Sequence, residues 1–491
     1  MIDLTIRPEA LERNLRNARE NGILIPTFRQ MKHPDSIPEK VKEGLRTVGL
    51  WDVNPLNLFR ITWKNEARES GGLFRHVPNY VELPPALTGV PCRIVAMAGK
   101  WFPTGCHKVG ASFGCLVPRL VTGQFDVTRH KAVWPSTGNY CRGGAFNSKL
   151  LGARGVAILP AGMSRERFDW LASIGAEVIA TPGCESNVKE IFDKTNELRR
   201  DPGCMIFNQF EEMGNHLWHY QVTGRAIAEV FEAVRRPGDK LSGACFTSGS
   251  AGTIGCGDYL KEVYPGLKLA VGEALQCPTI LNNGFGGHRI EGIGDKHVPW
   301  IHNVKNTDMV IDIDDEDSQR LLRLFNTPEG QAYLKNELKL DDELIEKLTW
   351  LGISGIANVL CCIKMAKYYE FTERDVVGTV LTDSAVMYGS RIQELNDQYG
   401  AYNAHEAAMD HALHMLGLKL DNMQELTYAD RKRVHNLKYY TWVEQQGKTV
   451  EELNALWYDT EGTWDAVHKE ARDLDDLINA FNEETGLLKD L

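Results

Sequence analysis

Lys108 closes the segment Pro103-Thr104-Gly105-Cys106-His107-Lys108, and a lysine amine just after a turn can condense with a carbonyl group. Downstream, Ser136-Thr137-Gly138-Asn139-Tyr140 offers hydroxyls and a carboxamide on one turn. The run Ser248-Gly249-Ser250-Ala251-Gly252-Thr253-Ile254-Gly255 follows. Its small residues let several backbone N–H groups converge on a phosphate. Last comes Thr382-Asp383-Ser384, with a hydroxyl and a carboxylate. An amine, an amide, an anion cradle and a hydroxyl are the parts for covalent chemistry on a bound, phosphate-bearing carbonyl compound.

These parts need elements to hold them. Cys92–Met97 reads as a strand, and from there strand and helix alternate: 132–134, 155–160 and 177–180 as strands, 143–151, 164–174 and 186–199 as helices. A long helix is predicted over 216–234. It is followed by strand 244–247, the glycine turn, helix 254–264, strand 267–272 and a buried strand 376–381. Such alternation predicts an α/β fold with two open, mostly parallel twisted sheets. The expected divisions are 1–99 (contributing to the larger domain), 100–215 (a small domain with Lys108 and the Asn139 turn), 216–400 (the larger domain with the glycine turn) and 401–491. The last stretch reads as a helical extension, with helices over 403–416, 424–434, 450–457 and 464–484. Segment 7–21 reads as a surface helix, and 61–89 shows only turn chemistry. Asp383 and Ser384 fall at the C-terminal edge of the 376–381 strand, where ligands bind in open α/β sheets. Strand alternation would turn Asp383 away from the side that Ser384 faces.

Composition narrows the function. The chain has 491 residues, 43% hydrophobic and 25% charged, with net charge −11. That is an ordinary globular balance, and without a basic cluster nucleic acid is not an expected partner. No apolar run is long enough for a membrane span. Met1–Arg7 does not resemble a secretion signal. Eleven scattered cysteines without a CxxC pair fit reduced thiols and a cytoplasmic location better than a disulfide framework. His216 with His219 and His411 with His414 are spaced i, i+3, but no third ligand accompanies either pair in sequence, so no metal is expected.

Together the motifs resemble the fold type II enzymes that use pyridoxal phosphate, the group of cysteine synthase, cystathionine β-synthase, threonine synthase and the tryptophan synthase β-subunit. The resemblance covers roughly residues 95–390 and is nearest to the cysteine synthase and cystathionine β-synthase branch, although His107 before the lysine is more like tryptophan synthase β. It implies that Lys108 forms the Schiff base and shuttles the α-proton. It implies that Asn139 meets the cofactor's ring oxygen, that Gly249, Ser250, Ala251, Gly252 and Thr253 hold its phosphate, and that Ser384 meets its ring nitrogen. Thr137, Gly138, Tyr140 and Gln209 (in Asn208-Gln209-Phe210) would address the substrate carboxylate. His288–Gly294, Pro299 and Tyr388 also match family segments. The implied reaction is β-elimination or β-replacement on a small-molecule amino acid with a leaving group at Cβ, through an external aldimine and an aminoacrylate, in a homodimer. Two departures stand out. Ala251 occupies a position where the family commonly has glycine, and the bulky Tyr140 replaces a small residue.

Each motif also has a plainer reading. A lysine after a turn is usually at the surface. A glycine turn after a strand also suits a dinucleotide, and Glu273 near the end of the next strand keeps that alternative open. Asn139 can be a turn residue, Gln209 an exposed strand end, and Ser384 a helix cap. A non-catalytic, cofactor-binding scaffold is the remaining alternative. The order of the motifs favours the enzyme.

Overall fold

The computed structural model describes residues 1–490 except Ser186 and Asp295. Among the described residues, eleven strands form two sheets. The chain enters the larger sheet with β1 (Tyr80–Leu83) and β2 (Arg93–Ala98), which pair antiparallel. It then builds the smaller sheet from β3 (Lys131–Pro135), β4 (Arg154–Pro160), β5 (Glu177–Thr181) and β6 (Cys204–Ile206), ordered β5-β4-β3-β6 and parallel throughout. It returns to the larger sheet with β7 (Lys240–Thr247), β8 (Lys268–Ala274), β9 (Met309–Ile313), β10 (Asp375–Leu381) and β11 (Met423–Glu425). The larger sheet runs β1-β2-β10-β7-β8-β9-β11 and is antiparallel only at its two edges. The protein is thus an α/β fold with two mostly parallel sheets and a helical C-terminal region.

Burial explains why these segments are strands. Every residue of β2 is buried, and β10 is buried from Val376 to Leu381. Continuous apolar runs are what a parallel strand covered on both faces requires. β5 lies at an edge and exposes Glu177, as edge strands that avoid further pairing do.

Eight helices matter for the site: α1 (Pro8–Asn21), α2 (Lys108–Val121), α3 (Asn139–Leu150), α4 (Met213–Trp218), α5 (Arg225–Val234), α6 (Gly255–Val263), α7 (Ile353–Tyr368) and α8 (Ala466–Thr485). A π-helical turn at His219–Gly224 joins α4 to α5, so the long helix predicted over 216–234 is continuous but locally widened.

Three expectations change. Helix 424–434 begins only at Tyr428, where Thr427 and Asp430 form a reciprocal capping box. Gln424 instead lies in β11, because the unpaired edge of β9 accepts it opposite Val310. The 61–89 stretch holds β1 as well as turns. The 7–21 helix is not wholly at the surface, since Asn14, Leu15 and Ala18 of α1 are buried.

No single helix among the described residues is long and apolar enough to cross a membrane. Asp342–Leu348 and Ile353–Tyr368 reach that length only jointly, across a 111° bend. Residues 353–366 are covered by the rest of the protein.

Candidate active site

Lys108 is the first residue of α2. The turn before it is tight, with Thr104 and Gly105 both at positive φ (68° and 67°). Its Nζ donates to Ser250 Oγ at 3.0 Å and to Gln209 Oε1 at 3.3 Å. The lysine is half-buried, whereas Gln209 and Ser250 are buried. One amine therefore spans the gap between the chain following β6 and the glycine turn following β7.

That turn, 248–254, links β7 to α6. Asn215 on α4 braces it from behind: its Nδ2 donates to Ser250 Oγ at 3.1 Å and to the Gln209 carbonyl at 3.0 Å. A Cβ on Gly252 would lie 2.1 Å from Asn215 Oδ1, so only glycine fits there. Ala251 sits at φ +63°, a left-handed conformation that glycine adopts without cost and alanine does not. Among the described residues, the backbone N–H groups of Gly249, Ser250, Ala251 and Thr253 find no acceptor in the protein. Buried backbone donors are nearly always paired, so a row of four without partners marks a place for an anion.

The opposite wall is charged. Gly138, at φ +153°, caps α3, and a Cβ there would come within 2.7 Å of Arg167 Cδ. Asn139 Nδ2 donates to Asp383 Oδ2 at 2.7 Å, and Arg142 approaches Asn139 Oδ1 at 3.4 Å. Tyr388 donates to the same Asp383 oxygen at 2.8 Å. Arg167 is fully buried. It pairs with Glu291 at 2.7 Å, bonds Tyr388 at 2.9 Å and stands 3.6 Å from Asp383. Burial opposes charge on Arg167, but Tyr388, Glu291 and Asp383 outweigh it and hold the guanidinium charged. Burial raises the Asp383 carboxyl, against the pull of Arg167, Asn139 and Tyr388. Glu185 beside them is pushed well above the usual carboxylate range by burial, with Arg167 and Thr137 opposing. Burial lowers Arg142 to about 10; its guanidinium bonds the Thr104 carbonyl at 2.9 Å and lies over Trp170.

Lys108, Gln209, Ser250 and the 249–253 turn thus come together, and Asn139 and Thr137 line the charged wall. Tyr140 is placed differently. Its ring is buried edge-to-face against Trp134, beside Cys115, so what it can offer a ligand is its backbone. Ser384 is buried one residue beyond Asp383. The argument that Asp383 faces away does not hold, because β10 ends at Leu381 and alternation ends with it. Glu273, the acid a dinucleotide would need, instead accepts the N–H groups of Ile280 and Leu281 at 2.8–3.0 Å. Asn215, Arg142, Arg167 and Glu185 carry no sequence signal of their own, and Glu291 is marked only by the family-like segment 288–294; ion pairs and hydrogen bonds bring them to the site.

A family profile described as "Pyridoxal-phosphate dependent enzyme" matches residues 88–333, half of the chain. The chain belongs to this family. A "Probable cysteine synthase" of Bacillus subtilis is 32% identical over 230 residues, spanning 46% of this chain and 72% of that protein. The "Cystathionine beta-synthase" of Saccharomyces cerevisiae is 28% identical over 316 residues, 62% of this chain and 59% of that one. In fold, the chain resembles a cysteine synthase from Entamoeba histolytica, with TM-score 0.56 and 20% identity over 70% of this chain and 94% of the other.

The cofactor of this pyridoxal-phosphate enzyme suits the residues present. An amine is held at the mouth of a turn whose backbone donors have no protein acceptor, and a carboxamide fixed by a buried carboxylate opens α3, the helix packed against the start of α2. Those donors would take the phosphate, the amine the aldehyde and the amide a ring oxygen. The profile leaves 1–87 and 334–491 unmatched, and Asp383, Ser384 and Tyr388 lie outside it.

Proposed function

We propose that the enzyme catalyses β-elimination or β-replacement on an amino acid bearing a sulfur- or oxygen-linked leaving group at Cβ. The observation that supports this reading is the bridge from Lys108 Nζ to Ser250 and Gln209, residues of the two segments we assign to phosphate and substrate. The sequence relatives named cysteine synthase and cystathionine beta-synthase support the reaction class. Pyridoxal phosphate, when bound, withdraws electrons from the substrate's α-carbon and makes its proton acidic.

The chain's own residues do the rest. Lys108 binds the cofactor and moves the α-proton at Nζ, with Ser250 and Gln209 orienting that atom. Gly249, Ser250, Ala251, Gly252 and Thr253 hold the phosphate through neutral donors. Asn139 orients the ring through its oxygen, and Ser384 meets the ring nitrogen with a neutral hydroxyl. A neutral partner there favours rapid loss of a Cβ leaving group over prolonged carbanion chemistry. Thr137, Gly138, the Tyr140 backbone and Gln209 receive the substrate carboxylate. The family resemblance extends the proposal to a homodimer. The eleven free cysteines extend it to a reducing, cytoplasmic setting.

Borohydride reduction of the purified yellow protein, followed by peptide mass mapping, should place a pyridoxyl group on Lys108; a label on any other lysine refutes the assignment. O-acetylserine and cysteine, each supplied with and without sulfide, then divide the two reaction types. Pyruvate formation without sulfide marks a lyase, and sulfide-dependent thiol product marks a synthase. Absence of both rejects the reaction class. Light scattering of the eluted protein reads the dimer.

A further inference from the structure

His216 lies on α4, Asp258 on α6 and His468 on α8, and all three are buried. Their nearest donor atoms converge: His216 Nε2 is 3.0 Å from His468 Nε2, and Asp258 Oδ2 is 3.7 Å and 3.9 Å from those two nitrogens. A point in the plane of these atoms lies roughly 2.1 Å from each, the length of zinc–nitrogen and zinc–oxygen bonds. Two imidazoles and one carboxylate are also the donor set that zinc and its neighbours in the first transition row prefer.

We infer that His216, Asp258 and His468 form a binding site for a divalent transition metal of the zinc class, with one ligand supplied by the C-terminal helix. The surroundings are those of a metal site as well. Asn303 and Asn306 donate to the two oxygens of Asp258 at 2.8 and 2.9 Å, fixing the carboxylate. Tyr220 stacks on the His468 ring at 3.6 Å, and Glu262 Oε1 stands 3.8 Å from the far nitrogen of that ring, where an outer carboxylate would orient it. A cavity of about 620 Å³ reaches both Asp258 and His468, giving an ion access and leaving room for a solvent ligand. The competing arrangement is one N–H···N bond between two neutral, parallel imidazoles. That bond leaves the carboxylate at 3.7–3.9 Å, beyond hydrogen-bond reach of either ring. A cation at the common point, with both rings turned toward it, satisfies all three groups.

The position carries a consequence. His216 follows Asn215, which braces Ser250. Asp258 lies in the first turn of α6, the helix that the phosphate turn leads into. An ion here pins the C-terminal region to the back of the cofactor cradle.

The test uses the full-length, cofactor-loaded protein, treated with a chelator and dialysed against Zn²⁺ or Co²⁺. The expected result is one equivalent per chain, visible ligand-field absorption with Co²⁺, and X-ray absorption fitted by two histidine nitrogens near 2.0–2.1 Å. Tm should rise by several degrees with Zn²⁺. His468→Ala and Asp258→Asn should each weaken Zn²⁺ binding at least tenfold. Clearly substoichiometric metal in the wild-type protein, as a bare histidine pair would give, overturns the inference. So does unchanged binding in folded His468→Ala. Because the wild-type stoichiometry and X-ray absorption stand alone, the test survives variants that do not fold.

Discussion

The two walls of the cleft are built on different physics. The 248–254 turn offers neutral backbone donors on a strand–turn–helix unit, and Lys108 and the amide of Asn215 both bond its Ser250 hydroxyl. The facing wall buries Arg142, Arg167, Glu185, Glu291 and Asp383 within a few ångströms of Asn139 and Thr137. A dianion needs only a row of aligned N–H groups, and local backbone geometry supplies them. Buried ions are stable only as a matched set, so the second wall is the more brittle and depends on partners far apart in sequence. The donor row of the turn is therefore a local property, and the charged cluster is a global one.

Four substitutions test this contrast, in order of decreasing effect. Lys108→Ala removes the amine that bonds Ser250 and Gln209. Turnover should fall by about a thousandfold or more, read from initial rates, while the denaturation midpoint stays near that of the parent. Arg167→Met strands Glu291 and Asp383 without their cation, and denaturant unfolding should show a loss of about 3–5 kcal/mol. A smaller loss would mean that the charged wall is less tightly coupled than its geometry indicates. Asp383→Asn keeps the shape but takes the carboxylate from the Asn139 amide. One charge-assisted bond is worth about 1.5–3 kcal/mol, so kcat should drop about ten- to hundredfold with an altered cofactor spectrum, whereas phosphate retention should not change. The last test touches the neutral wall alone. Ala251→Gly relieves the left-handed strain at the cost of some chain entropy, for a gain of about 0.5 kcal/mol seen as a small rise in Tm.

What could be read in the chain follows the same division. Lys108, the 249–253 turn and the Asn139 turn are legible because short-range features mark each one: a turn before a helix, small residues after a strand, a glycine cap at a helix start. β2, β3, β4, β7, β8 and β10 are legible because buried parallel strands are short apolar runs, and β5 because it is a short β-branched run even at its half-exposed edge. Gln424 was misplaced because its helical pattern competes with an open edge at β9 that no local reading contains. Tyr140 sits beside Asn139 in sequence, but a helix turns successive side chains apart, and its ring goes to Trp134. Asp383 was set aside by an alternation rule whose strand stops two residues earlier.

The C-terminal region extends the point. Its helices could be anticipated from periodicity, and in the structure a capping box of Thr449 with Glu452 opens one of them. Where those helices dock could not. Trp442 donates to the Val298 carbonyl, Lys438 to those of Trp300 and His302, and His468 meets His216 across 252 residues.

By itself, the order of residues determined the α/β class and the tight turns at Lys108 and at 249–253, because each depends on conformations that a few neighbouring residues impose. The tertiary structure alone decided which arginine faces which carboxylate, that Asn139 is held by Asp383, and that the terminal helix brings a histidine to the back of the cradle. These are contacts between distant segments, and they form only when the sheets and helices have packed, since no local preference carries the geometry of a partner hundreds of residues away.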